Sequence, residues 1–296
     1  MNWKDKKVLV TGGDGMIGRE LVEQLKILGA KVNIMDIKRD ELPPFIPKIS
    51  HAHNDCRQYD DCIDRIQSFK PEFIFHLCGI KGNIWRNQHE PVDFMGNMLR
   101  FDTNMILAAR ECGVSNFLYT SSIAVENFET DMYPAWAKTT AEKLIEAVRI
   151  QYPADTQYCI VRPANVYGRF DDYKHPELRG MVVSSLISKA IKNDVLEVWG
   201  DGSDIRDFIN ARDVAHGMIK AMEEMPQIPV NLCSGQEVTI KELAETIAKE
   251  TDKIIIWDES KPKAAPRRVM KCNWDFTPQV SLQEGIKECV QYAKQQ

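Results

Sequence analysis

A glycine-rich turn between a strand and a helix constrains the fold of this chain more than any other feature. The segment KVLVTGGDGMIGRELVEQLKILGAKVNIMD opens at Lys7 with a short apolar run that is typical of a buried strand. From Ile17 onward, apolar residues recur at helical spacing until Gly29, a residue suited to closing a helix. A second apolar run then ends at Asp36. This order of strand, turn, helix and strand predicts a nucleotide-binding βαβ unit.

The glycines of this turn follow the pattern GxxGxxG, and each predicts a contact with a dinucleotide. They permit a tight bend, a close approach of the backbone to a pyrophosphate, and close packing of helix on strand. The helix would then begin with its free N–H groups and positive dipole end facing the phosphates. The predicted cofactor-binding residues of the turn are Gly12, Gly15, Met16, Ile17 and Gly18.

The acidic residue at the end of the second strand indicates which dinucleotide binds. The carboxylate of Asp36 could accept hydrogen bonds from both ribose hydroxyls of NAD, and it would repel the 2′-phosphate of NADP. Lys38 and Arg39 follow and could accept that phosphate, although a solvated loop explains them as well. We therefore predict NAD as the cofactor.

Strands and helices continue to alternate along the first half of the chain. Further buried strands are predicted within residues 72–79, 116–122 and 158–168. This alternation predicts an α/β fold with a doubly wound parallel (Rossmann) sheet. Ligands gather at the carboxyl ends of such strands, which places Leu77, Gly79, Ser122 and Asn165 around one crevice.

The pattern loosens after about residue 170, where short strands such as LEVWG and KIIIW separate amphipathic helices. We expect a Rossmann domain over residues 1–168, with returning segments near 205–230. Residues 169–296 would form a smaller mixed α/β lobe that binds the substrate.

Composition excludes several classes of function. With a net charge of −5 and no long run of Lys or Arg, the chain is not expected to bind nucleic acid. Its longest apolar runs are too short to cross a bilayer, and MNWKDKKVLV lacks the pattern of a signal peptide. The eight cysteines include no CxxC pair, which favours reduced thiols in the cytoplasm over a metal site.

Motifs spread over nearly the whole chain indicate a family. They are TGGDGMIG, HLCG, a lysine ahead of TTAEKL, RPANVYG, WGDGSDIRDFINARDVA and SLQEGI. In this order they resemble the extended short-chain dehydrogenases/reductases that act on nucleotide sugars. The segments YGRFDDYKHPELRGMVVSSLI and KPKAAPRRVM are similar to those of GDP-fucose synthases and related GDP-mannose and GDP-heptose enzymes. The resemblance implies a GDP-sugar substrate and a homodimer, built on helices near 94–112 and 136–151, whose apolar faces could equally be core.

The resemblance also assigns roles to individual residues. Ser122, Tyr133 and Lys138 would be catalytic, and Lys138 would also bind the nicotinamide ribose. Asp55 would lie at the adenine, or alternatively cap the helix that follows it. The residues implied to bind the nucleotide sugar are Asn165, Arg169, Trp199, Arg206 and Arg267. Arg206 could instead form a surface ion pair with Asp207 or Asp213.

The spacing of the catalytic pair departs from the family. Relatives carry the tyrosine four positions ahead of the lysine, where this chain has Pro134. Within a continuous helix, Tyr133 would be turned about 140° from Lys138, at ~100° per residue. Because proline favours the first helical position, Tyr133 could instead be a cap residue outside the helix. If Tyr133 is only a loop aromatic, the site has lost this base.

Two other departures remove activities. In GDP-fucose synthases a cysteine and a histidine, the acid and base that invert sugar carbons, occupy the positions of Ile123 and Met181. Sugar 4,6-dehydratases carry an Asp–Glu pair where this chain has Ile123 and Ala124. Neither 3,5-epimerisation nor dehydration is therefore expected.

Hydride transfer alone remains. The expected reaction is NAD-dependent oxidation at C4 of a GDP-manno-hexose or GDP-heptose, that is, a GDP-sugar 4-dehydrogenase. The alternatives are a nucleotide-sugar 4-epimerase, a 4-keto-sugar reductase, or a non-catalytic NAD-sensing protein.

Overall fold

The computed structural model describes residues 1–37, 55–80, 89–126, 132–174, 181–261 and 267–296, except for the side chains of Arg267 and Arg268. The chain forms two compact units. Unit 1 comprises residues 1–80, 87–162 and 215–230, and unit 2 comprises residues 81–86, 163–214 and 231–296.

Strands and helices alternate through the first half of the chain, as its sequence predicts. The elements are β1 (Lys7–Thr11), α1 (Met16–Ile27), β2 (Lys31–Met35), α2 (Tyr59–Phe69), β3 (Phe73–His76), α3 (Pro91–Glu111), β4 (Asn116–Thr120), α4 (Tyr133–Gln151) and β5 (Gln157–Pro163). A short 3₁₀ turn, Ile123–Val125, lies between β4 and α4. The α/β prediction is confirmed.

The remaining elements are shorter. They are β6 (Asn165–Tyr167), α5 (Val182–Lys192), β7 (Val195–Trp199), β8 (Ile205–Arg206), β9 (Phe208–Asn210), α6 (Ala211–Glu224), β10 (Val230–Leu232), β11 (Val238–Thr239), α7 (Ile240–Thr251), β12 (Ile254–Asp258), β13 (Arg267–Arg268) and α8 (Leu282–Ala293). None of the helices in the described ranges is long and apolar enough to cross a bilayer.

The main sheet has six strands in the order β10-β5-β4-β3-β1-β2. β1 pairs in parallel with both β2 and β3, so the direction in which the sheet grows switches after β2. In open α/β sheets, ligands bind at the carboxyl ends of the strands beside such a switch. A cofactor is therefore expected to bind at the loops that follow β1 and β3.

The helices α3 and α4 cover this sheet with apolar side chains. Met98, Phe101 and Met105 of α3 and Val148 of α4 are all buried in the core of unit 1. Core packing therefore accounts for the apolar faces of these two helices. The homodimer that the resemblance implies stays a prediction. Unit 2 has a separate core between α5, α7 and α8.

Candidate cofactor and catalytic site

Two positions of the glycine-rich turn accept only glycine, one in the loop after β1 and one in the first turn of α1. Gly12 has φ +68°, and a Cβ there would lie 2.8 Å from the carbonyl oxygen of Leu77, at the end of β3. A Cβ on Gly18 would overlap the carbonyl oxygen of Gly12. The glycines thus let the loop, β3 and α1 approach one another closely, as a pyrophosphate-binding turn requires.

The start of α1 has the features of a phosphate-binding helix terminus. Its N-cap is Gly15, no side chain caps it, and its first turn, with Met16 and Ile17, contains no acidic residue. The positive dipole end of α1 therefore favours an anion at this loop. The carboxylate of Asp36 reaches this loop, where it accepts a hydrogen bond from the backbone N–H of Asp14 (3.1 Å). These residues fit a dinucleotide.

Asp55 is held by a neighbouring arginine. Arg57 donates to its carboxylate from Nε (2.9 Å) and Nη2 (2.5 Å), and these bonds hold the pKa of Asp55 below its usual range. The alternative that Asp55 caps the next helix is wrong, because α2 has Gln58 as its N-cap. Its carboxylate is fixed by Arg57 rather than by a helix terminus.

The carboxyl ends of β3 and β4 supply further polar groups. The backbone N–H of Leu77 donates to the carbonyl of Thr11 (3.0 Å), so the chain that leads to Gly79 is held beside the glycine loop. Ser122 caps the 3₁₀ turn, its Oγ accepting from the N–H of Ala124 (3.2 Å). That bond uses an acceptor site and leaves the hydroxyl proton for another partner.

Lys138 is buried and held at the end of β3. Its Nζ lies 3.4 Å from the carbonyl oxygen of Cys78 and 3.4 Å from Oδ2 of Asp102. The ammonium also lies 4.7 Å from the centre of the Tyr119 ring. Lys138 therefore lies beside the strand end that carries Leu77 and Gly79, and its catalytic role stays a prediction.

Tyr133 occupies the first position of α4, and Met132 is the N-cap. The alternative that Tyr133 precedes the helix is therefore wrong, and the helical spacing turns it away from Lys138. Its side chain is 39% exposed, whereas Lys138 is 7% exposed. Within the described ranges, no hydrogen bond joins the Tyr133 hydroxyl to Ser122 or Lys138. The role of Tyr133 as base stays a prediction.

A charged cluster behind the serines escaped the sequence analysis. The hydroxyl of Ser121 donates to Glu142 (2.5 Å), and Glu142 also accepts from Arg162 through Nε (2.9 Å) and Nη2 (2.6 Å). This pairing raises the pKa of Arg162. The sequence feature that could have revealed this cluster is Glu142, one helical turn beyond Lys138, because this spacing places both residues on one face of α4. The cluster fixes α4 against the end of β4.

In unit 2, Arg206 is buried on β8 rather than exposed. Its Nη1 donates to the carbonyl of Ile205 (2.8 Å), and Nη2 lies 3.7 Å from Asp204. The alternative of a surface ion pair with Asp207 or Asp213 is wrong, because those carboxylates accept from backbone groups near 234 and 279. Asp204 is the acidic partner instead.

The other predicted substrate residues of unit 2 lie on different elements. On β6, Asn165 donates from Nδ2 to the carbonyl of Asp207 (2.8 Å), which leaves its amide oxygen as an acceptor. The guanidinium of Arg169 stacks over Phe170 at 4.4 Å. Arg267 begins β13, which pairs in parallel with β8, so its backbone lies beside that of Ile205. The side chain of Arg267 falls outside the described part of the chain.

Trp199 ends β7 with more than half of its side chain exposed. Its indole N–H donates to Glu197 (2.8 Å), and the ammonium groups of Lys189 and Lys261 lie 4.9 Å and 5.6 Å from its ring. An exposed aromatic face bordered by cations is suited to stacking on a base that carries phosphates. The arrangement is compatible with the role implied by the resemblance.

Relatives with known names match nearly the whole chain. GDP-L-fucose synthase 1 of Arabidopsis thaliana is 28% identical over 97% of this chain and 93% of its own length. The dTDP-4-dehydro-6-deoxy-D-allose reductase of a Streptomyces species is 27% identical over 98% and 97%. A GDP-mannoheptose C4 reductase from Campylobacter jejuni, solved with NADP bound, has the same fold, with a TM-score of 0.79, 20% identity and 98% of each chain covered.

These relatives overturn the expected direction of the reaction. The expectation of a GDP-sugar 4-dehydrogenase is wrong, because the relatives are named as a synthase and as reductases. Hydride transfer crosses one transition state in both directions, so the residues that stabilise it do not reveal which direction is used. Asp36 bears on which cofactor binds and leaves the direction open.

A family model completes the assignment. The model of the NAD dependent epimerase/dehydratase family matches residues 8–233. The matched range begins in β1 and runs past β10, so it includes the glycine loop, Ser122 and Lys138. The chain belongs to this family of extended short-chain dehydrogenases/reductases.

Proposed function

We propose that the protein reduces the C4 ketone of a GDP-4-keto-sugar of the manno-hexose or heptose class. The observation that carries the proposal is the match of nearly the whole chain to a GDP-sugar synthase and to a reductase of a 4-dehydro sugar. The dinucleotide cradle at the end of β1 supports it, because such a reduction needs a bound hydride donor.

The cofactor is NADH in this proposal. When bound, the reduced nicotinamide supplies the hydride. Gly12, Gly15 and Gly18 with the start of α1 would hold the pyrophosphate, and Asp36 would accept the adenosine ribose hydroxyls. A carboxylate at this position disfavours NADPH. We therefore expect kcat/KM with NADH to exceed that with NADPH, and Asp36→Ser to reduce this preference at least tenfold.

Two sets of residues would bind different parts of the substrate. Ser122 would donate a hydrogen bond to the sugar oxygen at C4, and Lys138 would provide positive charge where negative charge develops. Arg206, Arg169 and Arg267 suit the diphosphate, because a guanidinium meets phosphate oxygens in a bidentate manner. Asn165 would form a hydrogen bond with the nucleotide diphosphate beside them, and Trp199 would stack on the base.

The proposed reaction leaves the neighbouring sugar carbons unchanged. Inversion at C3 or C5 needs a group that removes a proton from carbon, and neither Ile123 nor Met181 can exchange a proton. We expect a reaction run in deuterium oxide to place no deuterium on C3 or C5 of the product. Deuterium at either carbon, measured by proton NMR, would reveal an epimerase activity that this proposal excludes.

The experiment that tests the proposal is a direct assay with purified protein. Loss of reduced-nicotinamide absorbance is followed with NADH or NADPH and a panel of GDP-, dTDP- and UDP-4-keto-sugars. The proposal predicts turnover that is fastest with a GDP-4-keto-sugar and forms a C4 alcohol. A 4-epimerase would instead interconvert GDP-sugars without net consumption of cofactor, and no turnover with any 4-keto-sugar would reject the reductase.

A further inference from the structure

The reduction proposed above needs a proton donor, and the usual one is displaced in this chain. A helix places position i−4 above position i, and the residue four before Lys138 is Pro134. Tyr133 lies one residue earlier in the exposed first turn of α4. The protons available beside Lys138 must therefore be sought in other elements of unit 1.

A buried row of polar side chains crosses the sheet to reach Lys138. Thr11 pairs in register with His76, and His76 with Tyr119, so these residues lie side by side on β1, β3 and β4. The Thr11 hydroxyl lies 2.6 Å from Nδ1 of His76. Nε2 of His76 lies 3.0 Å from Oδ1 of Asp102, and the Tyr119 hydroxyl donates to Oδ2 at 2.6 Å. Asp102, on α3, thus contacts both His76 and Tyr119.

Burial keeps two side chains of this row, His76 and Tyr119, uncharged. Burial lowers the pKa of His76, which outweighs the opposite effect of Asp102, so the ring is neutral. A neutral ring protonated on Nε2 donates to Asp102 and accepts from Thr11. Burial and the nearby Asp102 raise the pKa of Tyr119, which therefore keeps its proton. Since Asp102 is fully buried, Lys138 supplies the positive charge that its carboxylate needs.

The contacts of Lys138 leave it one further proton. An ammonium group has three N–H donors, and Cys78 and Asp102 account for two of them. Tyr119 has a proton but is fully buried, and its hydroxyl already donates to Asp102. Lys138 is the proton-bearing group of this row that lies at the strand end predicted to bind the nicotinamide.

We propose that Lys138 is the proton donor of this chain and that Asp102 is its positioning residue, in place of the displaced tyrosine. As the C4 carbonyl carbon gains the hydride, an N–H bond of Lys138 breaks and an O–H bond forms on the sugar oxygen. Lysine is left as a neutral amine and takes a proton back from water. Asp102 holds Nζ at the end of β3, and the ion pair is restored when the amine takes up this proton.

The inference rests on the proposed reductase function, and four variants test it. They are Lys138→Met, Asp102→Asn, Tyr133→Phe and, as a matched control, Asp213→Asn. Asp213 is also a buried aspartate, but among the described residues its carboxylate accepts from the backbone N–H groups of Gln279 and Val280 rather than from a cation. For each variant, kcat and KM are measured with the best 4-keto-sugar. Binding of the reduced cofactor is measured separately by nicotinamide fluorescence.

The expected result separates the two candidate donors. Loss of a general acid lowers rates by about 10²–10⁴-fold, so Lys138→Met should reduce kcat by about 10³-fold. Asp102→Asn should reduce kcat at least tenfold with KM for the sugar within threefold. Tyr133→Phe should retain a kcat at least tenfold above that of Lys138→Met, and Asp213→Asn should keep kcat within threefold of the wild type. If Tyr133→Phe is as slow as Lys138→Met, or Asp102→Asn is as fast as Asp213→Asn, the inference is overturned.

A second readout needs no turnover and keeps failure of the two proposals apart. Lysine acylation is followed at Lys138 by peptide mass spectrometry, without substrate or cofactor. Release from Asp102 should make Lys138 at least fivefold more reactive in Asp102→Asn than in Asp213→Asn. If the wild type reduces no 4-keto-sugar but this difference is seen, the reductase fails and the pairing stands. Equal reactivity in the two variants rejects the pairing whatever the wild type does.

Discussion

Two buried aspartates of this protein show how the same side chain serves different purposes. Asp213, in the first turn of α6, accepts from the backbone N–H groups of Gln279 (3.0 Å) and Val280 (2.9 Å). Asp102 accepts instead from three side chains that can themselves carry a proton, His76, Tyr119 and Lys138. The first arrangement ties two segments of unit 2 together, and the second holds a charge at a strand end. Both aspartates are buried, so their hydrogen-bond partners, and not their burial, distinguish a structural aspartate from one proposed to act in catalysis.

The largest effect should follow from removing the cation that faces Asp102. Lys138→Met would leave a buried carboxylate without its counter-charge and would remove the proposed proton. We expect kcat to fall by about 10³-fold and the protein to unfold at a lower urea concentration. Rate assays and urea titrations measure the two effects. If Lys138→Met keeps the wild-type kcat, the contact of Asp102 with Lys138 has no role in catalysis and does not set Asp102 apart from Asp213.

Removing the carboxylate of Asp213 should affect stability alone. Asp213→Asn places an amide where backbone N–H groups need acceptors, which costs about 1–3 kcal/mol of unfolding free energy. The loss should appear in urea unfolding followed by circular dichroism, while kcat of the folded protein stays within threefold. A tenfold loss of kcat without a loss of stability would reverse the roles assigned to the two aspartates.

The His76 neighbour of Asp102 predicts a pH dependence of stability. Because burial lowers its pKa, the unfolded chain binds a proton below pH ~6.5 that the folded chain does not bind. Unfolding free energy should therefore decrease as the pH falls from about 6.5 toward the depressed pKa, by at most about 1.4 kcal/mol per pH unit. His76→Asn should show a shallower decrease than the wild type in urea titrations across this range. An identical slope would mean that His76 titrates normally.

The smallest effect is expected from the tyrosine neighbour of Asp102. Tyr119→Phe removes one hydrogen bond but keeps the ring beneath Lys138, so we expect to lose about 1 kcal/mol of unfolding free energy. Differential scanning calorimetry would detect this loss. An unchanged or higher melting temperature would show that the hydroxyl does not stabilise the buried carboxylate.

The fold and the cofactor loop could be predicted because their signals are local. Strand, glycine turn and helix follow one another within residues 7–36, and the glycine spacing reflects contacts inside that stretch. The TTAEKL motif also marks Lys138, whose catalytic role stays a prediction. Local periodicity did not, however, show whether Tyr133 begins the helix or precedes it.

The polar row could not be predicted because it depends on register between distant segments. His76 and Tyr119 are single polar residues inside the apolar runs FIFH and NFLYT, and each alone reads as an ordinary strand residue. Only the pairing of β3 with β4 brings them together, and only the packing of α3 adds Asp102. The ion pair of Arg206 with Asp204 was missed because the sequence did not show which neighbouring acid lay within reach.

The most direct test of the account is a double-mutant cycle on Asp102 and Lys138. The variants Asp102→Asn, Lys138→Met and their combination are compared by kcat with the same 4-keto-sugar. If Asp102 acts only by positioning Lys138, the double variant should be no slower than Lys138→Met alone. Losses that multiply in the double variant would show that Asp102 acts independently of Lys138 and would contradict the account.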